Sequence, residues 1–501
     1  MFGAKVRLRY AGFVSFSSML FSVLTGLAFT IIVTRKLSSL DFGLWQVISI
    51  TVTYFVLTVN IVRYWAPRFI ARGENVAKST LVFSIITGTL ATIGYVILSN
   101  FLCHSLHLDF FYFLVFSPHV FLSCVSTALE GVSQGYAPQY IGYSFLLFEI
   151  IKVAAAYLIV VTGGWRLLGA LVAVMAAQLA KMVYLLAATF PMVKESSFEF
   201  EHVKRYLRLA WIPLYYQLTD FIGAVDVYIV VYFAGSTLPV AMFRVAQVLA
   251  QTVLYSSAFS QALYPRILAK KSSGDIEETL RLTFMFAFPM SVGLVVMAPS
   301  LLCIFGVKYL SASAVLPVMA FALFLASLTR VLEVVILGTE EVDAREKAGF
   351  DEYLKSRLFV FPTAKSLFQC IYLAILVVFL VLRLADIALL WAAAFALGKA
   401  LFLAWEYVYS KKIIDYRVPL GSAFKYLSAS LVMGVVLFLL GAGSVIEVRI
   451  MDLIPKLLVY IALGAAVYFV LVLAVDNYAR GLAFRAWRLA RGRLAGFLCL
   501  K

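Results

Sequence analysis

Asp226 and Arg244 put a carboxylate and a guanidinium inside two successive apolar segments that share the turn at Gly235. At ~1.5 Å per helical residue, each lies roughly 10 Å along its segment from that turn. On adjacent antiparallel helices they would stand at one depth, where an ion pair is geometrically natural. Two chemistries follow. The pair locks a helical hairpin, or Arg244 offers its planar fork to a phosphate while Asp226 tunes or releases it. Asp220 lies deeper, with Tyr216 and Gln217 one turn away on the same side. A carboxylate and a phenol together bind a proton or a sodium ion, or hydrogen-bond sugar hydroxyls; a Tyr–Asp bond that only holds the helix is the structural alternative. Lys152 follows Glu149 by three residues, the spacing of a pair within one helix. Lys181 and Lys399 have no such partner on their own segments. Each either faces a cavity and attracts an anion or pairs with another helix. Arg63, near the end of its segment, reaches for lipid headgroups or for the same anion.

Charged groups inside apolar segments are costly and are kept for function or in pairs. The chain around them is extremely apolar. It has 501 residues, 63% hydrophobic and 14% charged, with mean hydropathy +0.97. A soluble domain is about 45–50% apolar and about 25% charged. The fold class is therefore an all-α integral membrane protein. Windows of about 20 apolar residues give about fourteen spans. Their centres fall near Phe21, Tyr54, Thr89, Phe121, Glu149, Met175, Ile222, Ala250, Gly293, Ala322, Ala374, Phe395, Gly434 and Leu463. The first apolar stretch, roughly Ala11 to Thr34, is too long for a signal-peptide core of about 7–15 residues and is expected to remain as the first helix.

Two stretches match at a constant offset of about 198 residues. Ser38-Ser39-Leu40 leads to Pro67-Arg68-Phe69-Ile70-Ala71-Arg72, and Ser236-Thr237-Leu238 leads over the same distance to Pro265-Arg266-Ile267-Leu268-Ala269-Lys270. Gln46 is the counterpart of Arg244. Alternate loops hold about 30 of the 42 Lys and Arg, which puts both termini in the cytoplasm. The two copies then share one orientation, as in a parallel repeat about the membrane normal. The net charge of +16 is spread over those loops, where anionic lipid attracts it, and implies no nucleic acid. In the tail, Arg480, Arg485, Arg488, Arg491 and Arg493 alternate with Phe484, Trp487 and Leu489, a pattern for an interfacial helix or a plain topology anchor.

Enzyme classes find no support. The loops on the side poor in Lys and Arg are too short for a catalytic domain. No phosphate-binding Gly-x-x-x-x-Gly-Lys loop, G-x-S-x-G elbow or H-E-x-x-H helix occurs. The five cysteines include no C-x-x-C, and His104 and His107 suit solvation better than a metal. No catalytic residue, metal or cofactor is expected.

From Trp211-Ile212-Pro213 to Gly338 an ordered series appears. It comprises Asp226, Phe233-Ala234-Gly235-Ser236, Phe243-Arg244-Val245-Ala246-Gln247, Ala262-Leu263-Tyr264-Pro265-Arg266, Gly274-Asp275, Pro289, Gly306-Val307-Lys308-Tyr309 and Ser313-Ala314. Leu37-Ser38-Ser39-Leu40-Asp41-Phe42-Gly43 and Arg63 add to it from the first half. The series resembles the polysaccharide flippases of the multidrug/oligosaccharidyl-lipid/polysaccharide (MOP) exporter superfamily, closely over about a quarter of the chain and by pattern over most of it. The resemblance implies two pseudo-symmetric six-helix lobes in a MATE-like V, at 1–193 and 194–410. Two added helices would follow at 411–475 and a basic cytoplasmic tail at 476–501. It implies a multi-pass cell-membrane transporter that flips a polyprenyl-(pyro)phosphate-linked oligosaccharide by alternating access. The partners would be that lipid, the surrounding membrane lipids and a coupling H+ or Na+. The expected cavity residues are Arg63, Arg244, Gln46, Asp220, Asp226, Tyr216, Lys152, Lys181 and Lys399. The alternatives are a cation-coupled multidrug antiporter of the same superfamily and, from another class, a membrane glycosyltransferase or polymerase.

Overall fold

In lipid every backbone N–H and C=O must find its partner within the chain, so long apolar segments become helices. The computed structural model describes residues 8–260, 263, 267, 273–340 and 354–485, and all regular structure among them is helical. The first helix, α1, is Leu8–Lys36. Among the described residues, thirteen further helices are long and apolar enough to cross a membrane. These are α2 Ser39–Ala71, α3 Ala77–Leu106, α4 Phe110–Tyr136, α5 Gln139–Thr162, α6 Arg166–Glu195, α8 Pro213–Ala234, α9 Leu238–Phe259, α10 Ser273–Val296, α11 Val307–Gly338, α12 Arg357–Leu382, α13 Ile387–Ile413, α14 Leu420–Leu439 and α15 Ile450–Val475. A short helix, α7, Phe200–Arg208, lies between α6 and α8. Every centre expected from hydropathy falls inside one of these helices. The second repeat anchor (apart from Ile267), most of the hydrophilic loop around Asp351, and the tail from Ala486 onward lie outside the described residues.

The repeat is visible in local geometry. The Ser38 hydroxyl accepts from the Asp41 N–H at 3.0 Å as α2 starts, and the Ser236 hydroxyl accepts from the Leu238 N–H at 3.2 Å as α9 starts. Such side-chain acceptors satisfy N–H groups that a helix start leaves without partners. Both helices then pass into a 3-10 turn in the same register, at Leu57–Val59 in α2 and Tyr255–Phe259 in α9.

The helices are arranged for an apolar solvent. On α3, Ile86, Leu90, Ile93, Ile97 and Phe101 form one exposed face, while Ser84, Gly88, Ala91, Tyr95, Ser99 and Cys103 are buried on the other. Large apolar groups outward and small or polar groups inward is the pattern of a helix packed in lipid. The chain is a multi-pass membrane protein.

Two compact units divide it, Met1–Ala241 and Met242–Lys501. In the first, α1 packs on α5, α5 on α6, and α4 on α2, α3 and α6. In the second, α13 packs on α11 and α12, and α10 on α11 and α14. In the first unit α7 straps the loop after α2. Arg205 donates to Glu74 at 2.6 Å and lies 4.3 Å over the Phe69 ring. The Tyr206 hydroxyl shares a 2.7 Å bond with Thr80, and burial pushes that hydroxyl's pKa above the ordinary phenol value.

Still in the first unit, α2 runs against α8 and the turn after it. A Cβ added at Gly43 would lie 2.1 Å from the Thr237 carbonyl oxygen, whereas one at Gly421 meets nothing within 4 Å. Gly43→Ala is therefore expected to cost about 1–3 kcal/mol and to lower the melting temperature in detergent, with Gly421→Ala unchanged. Equal melting of the two variants would contradict the close approach.

Candidate functional site

The last third of α2 positions the site. Its 3-10 turn at Leu57–Val59 is followed by Asn60, Arg63, Tyr64, Pro67 and Arg68. These residues sit against α4 because α4 presents Gly131 and Gly135 there. A Cβ at Gly131 would approach the Arg63 Cα at 3.0 Å, and one at Gly135 the Ile70 Cβ at 2.8 Å. Glycines four apart let two membrane helices approach backbone to backbone.

That approach brings Arg63 beside Glu130 of α4. Arg63 Nη2 lies 3.6 Å from Glu130 Oε2, and Lys181 Nζ of α6 lies 2.5 Å from Glu130 Oε1. Glu130 is 8% exposed and Lys181 9%, so the carboxylate and the ammonium are paired out of water. The Arg63 side chain remains 53% exposed. One carboxylate thus serves a buried cation and an open one.

Arg63 lines a cavity of about 840 Å³ with Asn60, Tyr64, Arg68, Gln134, Tyr216 and Gln217. Within its lining, Asn60 Nδ2 donates to Gln217 Oε1 at 2.7 Å, while Gln217 Nε2 donates to the Pro213 carbonyl at 3.1 Å. The Arg68 guanidinium lies 3.6 Å from the centre of the Tyr64 ring and donates to the Tyr64 carbonyl oxygen. Stacking on Tyr64 fixes its plane at little cost in hydration. Arg63, Arg68 and Lys181 carry three positive charges against one on Glu130, so this group holds a net charge of two positives. Two guanidiniums with amides and phenols around them bind a phosphate by paired N–H donors and hydroxyls by the amides.

The expected residues fall in several places. Arg63 and Tyr216 meet in the cavity. Lys181 reaches it only through Glu130, so the interhelical pairing is what occurs. Lys152 pairs with Glu149 at 2.8 Å, as the spacing indicates, deep in the first unit. There Glu149 also accepts from Thr25 at 2.5 Å and Ser22 at 3.2 Å of α1. Asp220 is exposed and outside the cavity lining. Asp226 is buried and starts the second piece of α8, after a break at Ala224 and Val225. A carboxylate there meets the positive end of the helix dipole. Tyr54 of α2 lies within its electrostatic reach. Gln46 is half-buried nearer the start of α2. In the second unit, Arg244 donates to Gln247 at 2.6 Å, and Lys399 lines a small cavity of α12 and α13, 5.1 Å from the Phe395 ring. Glu130 and Arg68 are absent from the expected set. The signals for them were a lone carboxylate in an apolar segment and its neighbour Gly131-Val132-Ser133-Gln134-Gly135.

No family model and no curated protein matches the sequence. Solved structures do. The lipid II flippase MurJ in an inward closed conformation aligns with TM-score 0.65 over 93% of this chain and 98% of its own, at 14% identity. An inward-facing multidrug resistance MATE family transporter of the MOP superfamily aligns with TM-score 0.61 over 78% of this chain and 95% of its own, at 14% identity. A MATE in the bent conformation reaches 0.51 over 83% and 94%, at 15% identity. The chain has the fold of these transporters. The neighbours are transporters, not enzymes, and identity this low carries the likeness of fold alone.

Removing Glu130 leaves Lys181 buried without its counter-charge. Glu130→Ala is expected to destabilise the protein by about 3–5 kcal/mol in denaturant titrations of the purified protein. Lys181→Met added to it should recover most of the loss. A double variant no more stable than Glu130→Ala would refute the pairing.

Proposed function

We propose that the protein flips a polyprenyl-(pyro)phosphate-linked oligosaccharide from the cytoplasmic to the outer leaflet of the cell membrane. The observation that carries this reading is the cavity of about 840 Å³ that holds Arg63 and Arg68 among amide and phenol side chains. A sugar–pyrophosphate head is anionic and rich in hydroxyls. Leaving such groups without partners across a core about 30 Å thick costs several kcal/mol each. A wet, cationic chamber removes most of that cost.

The loops at the cavity's end of α2 and α8 are the Lys- and Arg-rich ones, from Arg63 to Lys78 and from Lys194 to Arg208. By the positive-inside rule this end is cytoplasmic, as are both termini, so the cavity faces the side where such lipids are assembled. Two like-oriented lobes, 1–193 and 194–410, rock to open the site to one leaflet at a time. Helices of 411–475 are accessory, and the basic tail of 476–501 belongs to the cytoplasmic side. Arg244 serves as a second phosphate contact reached during the cycle, with Asp226 as the carboxylate that releases it.

The other reading is a cation-coupled drug antiporter. The MATE likeness is compatible with it, but none of the described residues lining the cavity is acidic. A cationic drug needs a carboxylate there.

Proteoliposomes with a fluorescent lipid-linked oligosaccharide and an outer-leaflet quencher test the proposal. Protein-dependent redistribution of the label is expected. Arg63→Gln with Arg68→Gln should slow it about tenfold or more, since a hydrogen bond to a charged group is worth about 1.5–3 kcal/mol. Arg244→Ala should also slow it with folded protein retained. No redistribution of any such lipid, or exchange of a cationic amphiphile for protons or sodium instead, would overturn the reading.

A further inference from the structure

The second unit holds a carboxyl group that nothing above uses. Glu406 of α13 is 0% exposed. Neither of its side-chain oxygens has a hydrogen-bond partner among the described residues. Phe402, one turn before it, belongs to a buried apolar cluster with Ile336 of α11 and Phe361 of α12, against which Leu337, Phe368, Trp405, Tyr409 and Ile413 pack. Glu149 and Glu130 in the first unit, buried to a similar degree, each have an ammonium within 2.8 Å and 2.5 Å.

An ionised carboxylate left in such a place without a donor costs several kcal/mol even after relaxation. A neutral carboxylic acid costs far less. Glu333 of α11, Lys365 of α12, Lys399 of α13 itself and Tyr416 beyond its end lie within electrostatic reach of Glu406, and Tyr409 follows it by three residues on the same helix. Glu333 opposes a second negative charge, and the two lysines favour one. Lys365 and Lys399 line a cavity of about 30 Å³ with Gln369, Tyr372 and Phe402, room for about one water. Lys399, Phe402 and Glu406 follow one another along one face of α13, three and four residues apart.

We propose that Glu406 is a proton-binding site. The protonated acid is the form that fits the arrangement seen, with both oxygens lacking hydrogen-bond partners among the described residues. When the proton leaves, the O–H bond breaks, its electron pair stays on the carboxylate, and the proton passes to water in the cavity beside Lys365 and Lys399. The new negative charge is then met by those ammonium groups, which draw α12 and α13 into a different packing. One proton thus biases two arrangements of the unit.

Infrared spectroscopy of the purified full-length protein, with hydrogen–deuterium exchange, reads the site directly. At neutral pH a carboxylic acid C=O band at the frequency of a group without hydrogen bonds is expected. It should be lost in Glu406→Gln and moved in Glu406→Asp, while Glu333→Gln keeps it. Raising the pH should remove the band in the wild type, and Lys399→Met should shift that loss to higher pH. A wild-type spectrum with no such band at neutral pH, or a band that survives both Glu406 substitutions, would overturn the proposal. Should Glu406→Gln fail to fold, the Asp variant alone decides between the outcomes.

Discussion

A carboxylate taken out of water inside a helical bundle must be met by a cation, and Glu130 meets two. Lys181 holds one oxygen at 2.5 Å and Arg63 stands 3.6 Å from the other. The rest of the first unit answers to that arrangement. Gly131 and Gly135 bring α4 close enough to α2 for Arg63 to reach the carboxylate. The 3-10 turn at Leu57–Val59 sets the direction of the α2 segment that carries Arg63 and Arg68. Because Lys181 already balances the carboxylate, the charge on Arg63 remains largely uncompensated in the cavity. The protein keeps a cationic chamber without burying an unpaired cation.

Buried acids are met in two ways, and the second unit shows both, since Asp476 lies 3.4 Å from Lys425 there. In the first unit, each strongly buried acid of α4 and α5 is paired with a lysine. In the second, Glu406 lies one turn from Phe402 with no hydrogen-bond partner on either oxygen among the described residues. Paired charges fix a geometry, and an unpaired acid invites a change of protonation. On the readings proposed here, the first unit supplies a standing binding surface and the second a group whose charge can change.

Much of the fold was legible in the sequence for a simple reason. Lipid forbids unsatisfied backbone, so an apolar run of about 20 residues has few alternatives to a helix. The offset of about 198 residues also carried over, down to the register of the serine acceptors and the 3-10 turns. The Glu149–Lys152 pair was legible because both partners lie on one helix, three residues apart. The cavity was only partly so. Arg63 and Tyr216 were expected, but Glu130 and Arg68 were not, because what gives them meaning lies on other helices or on a stacked ring. Lys181 had two open readings until α4 came beside α6. Glu406 was invisible for the same reason, since an acid in a helix looks alike whether or not another helix brings it a donor.

The central claim is that the chamber beside Arg63 selects an anionic lipid head. Equilibrium binding to the purified protein tests it most directly, with a short-chain polyprenyl pyrophosphate competed against a cationic amphiphile of similar apolar length. The account predicts that the pyrophosphate binds, that the cation does not displace it, and that Glu130→Gln alters its affinity while a distant surface substitution does not. Preferential binding of the cation, or pyrophosphate affinity indifferent to every residue of the chamber, would contradict it.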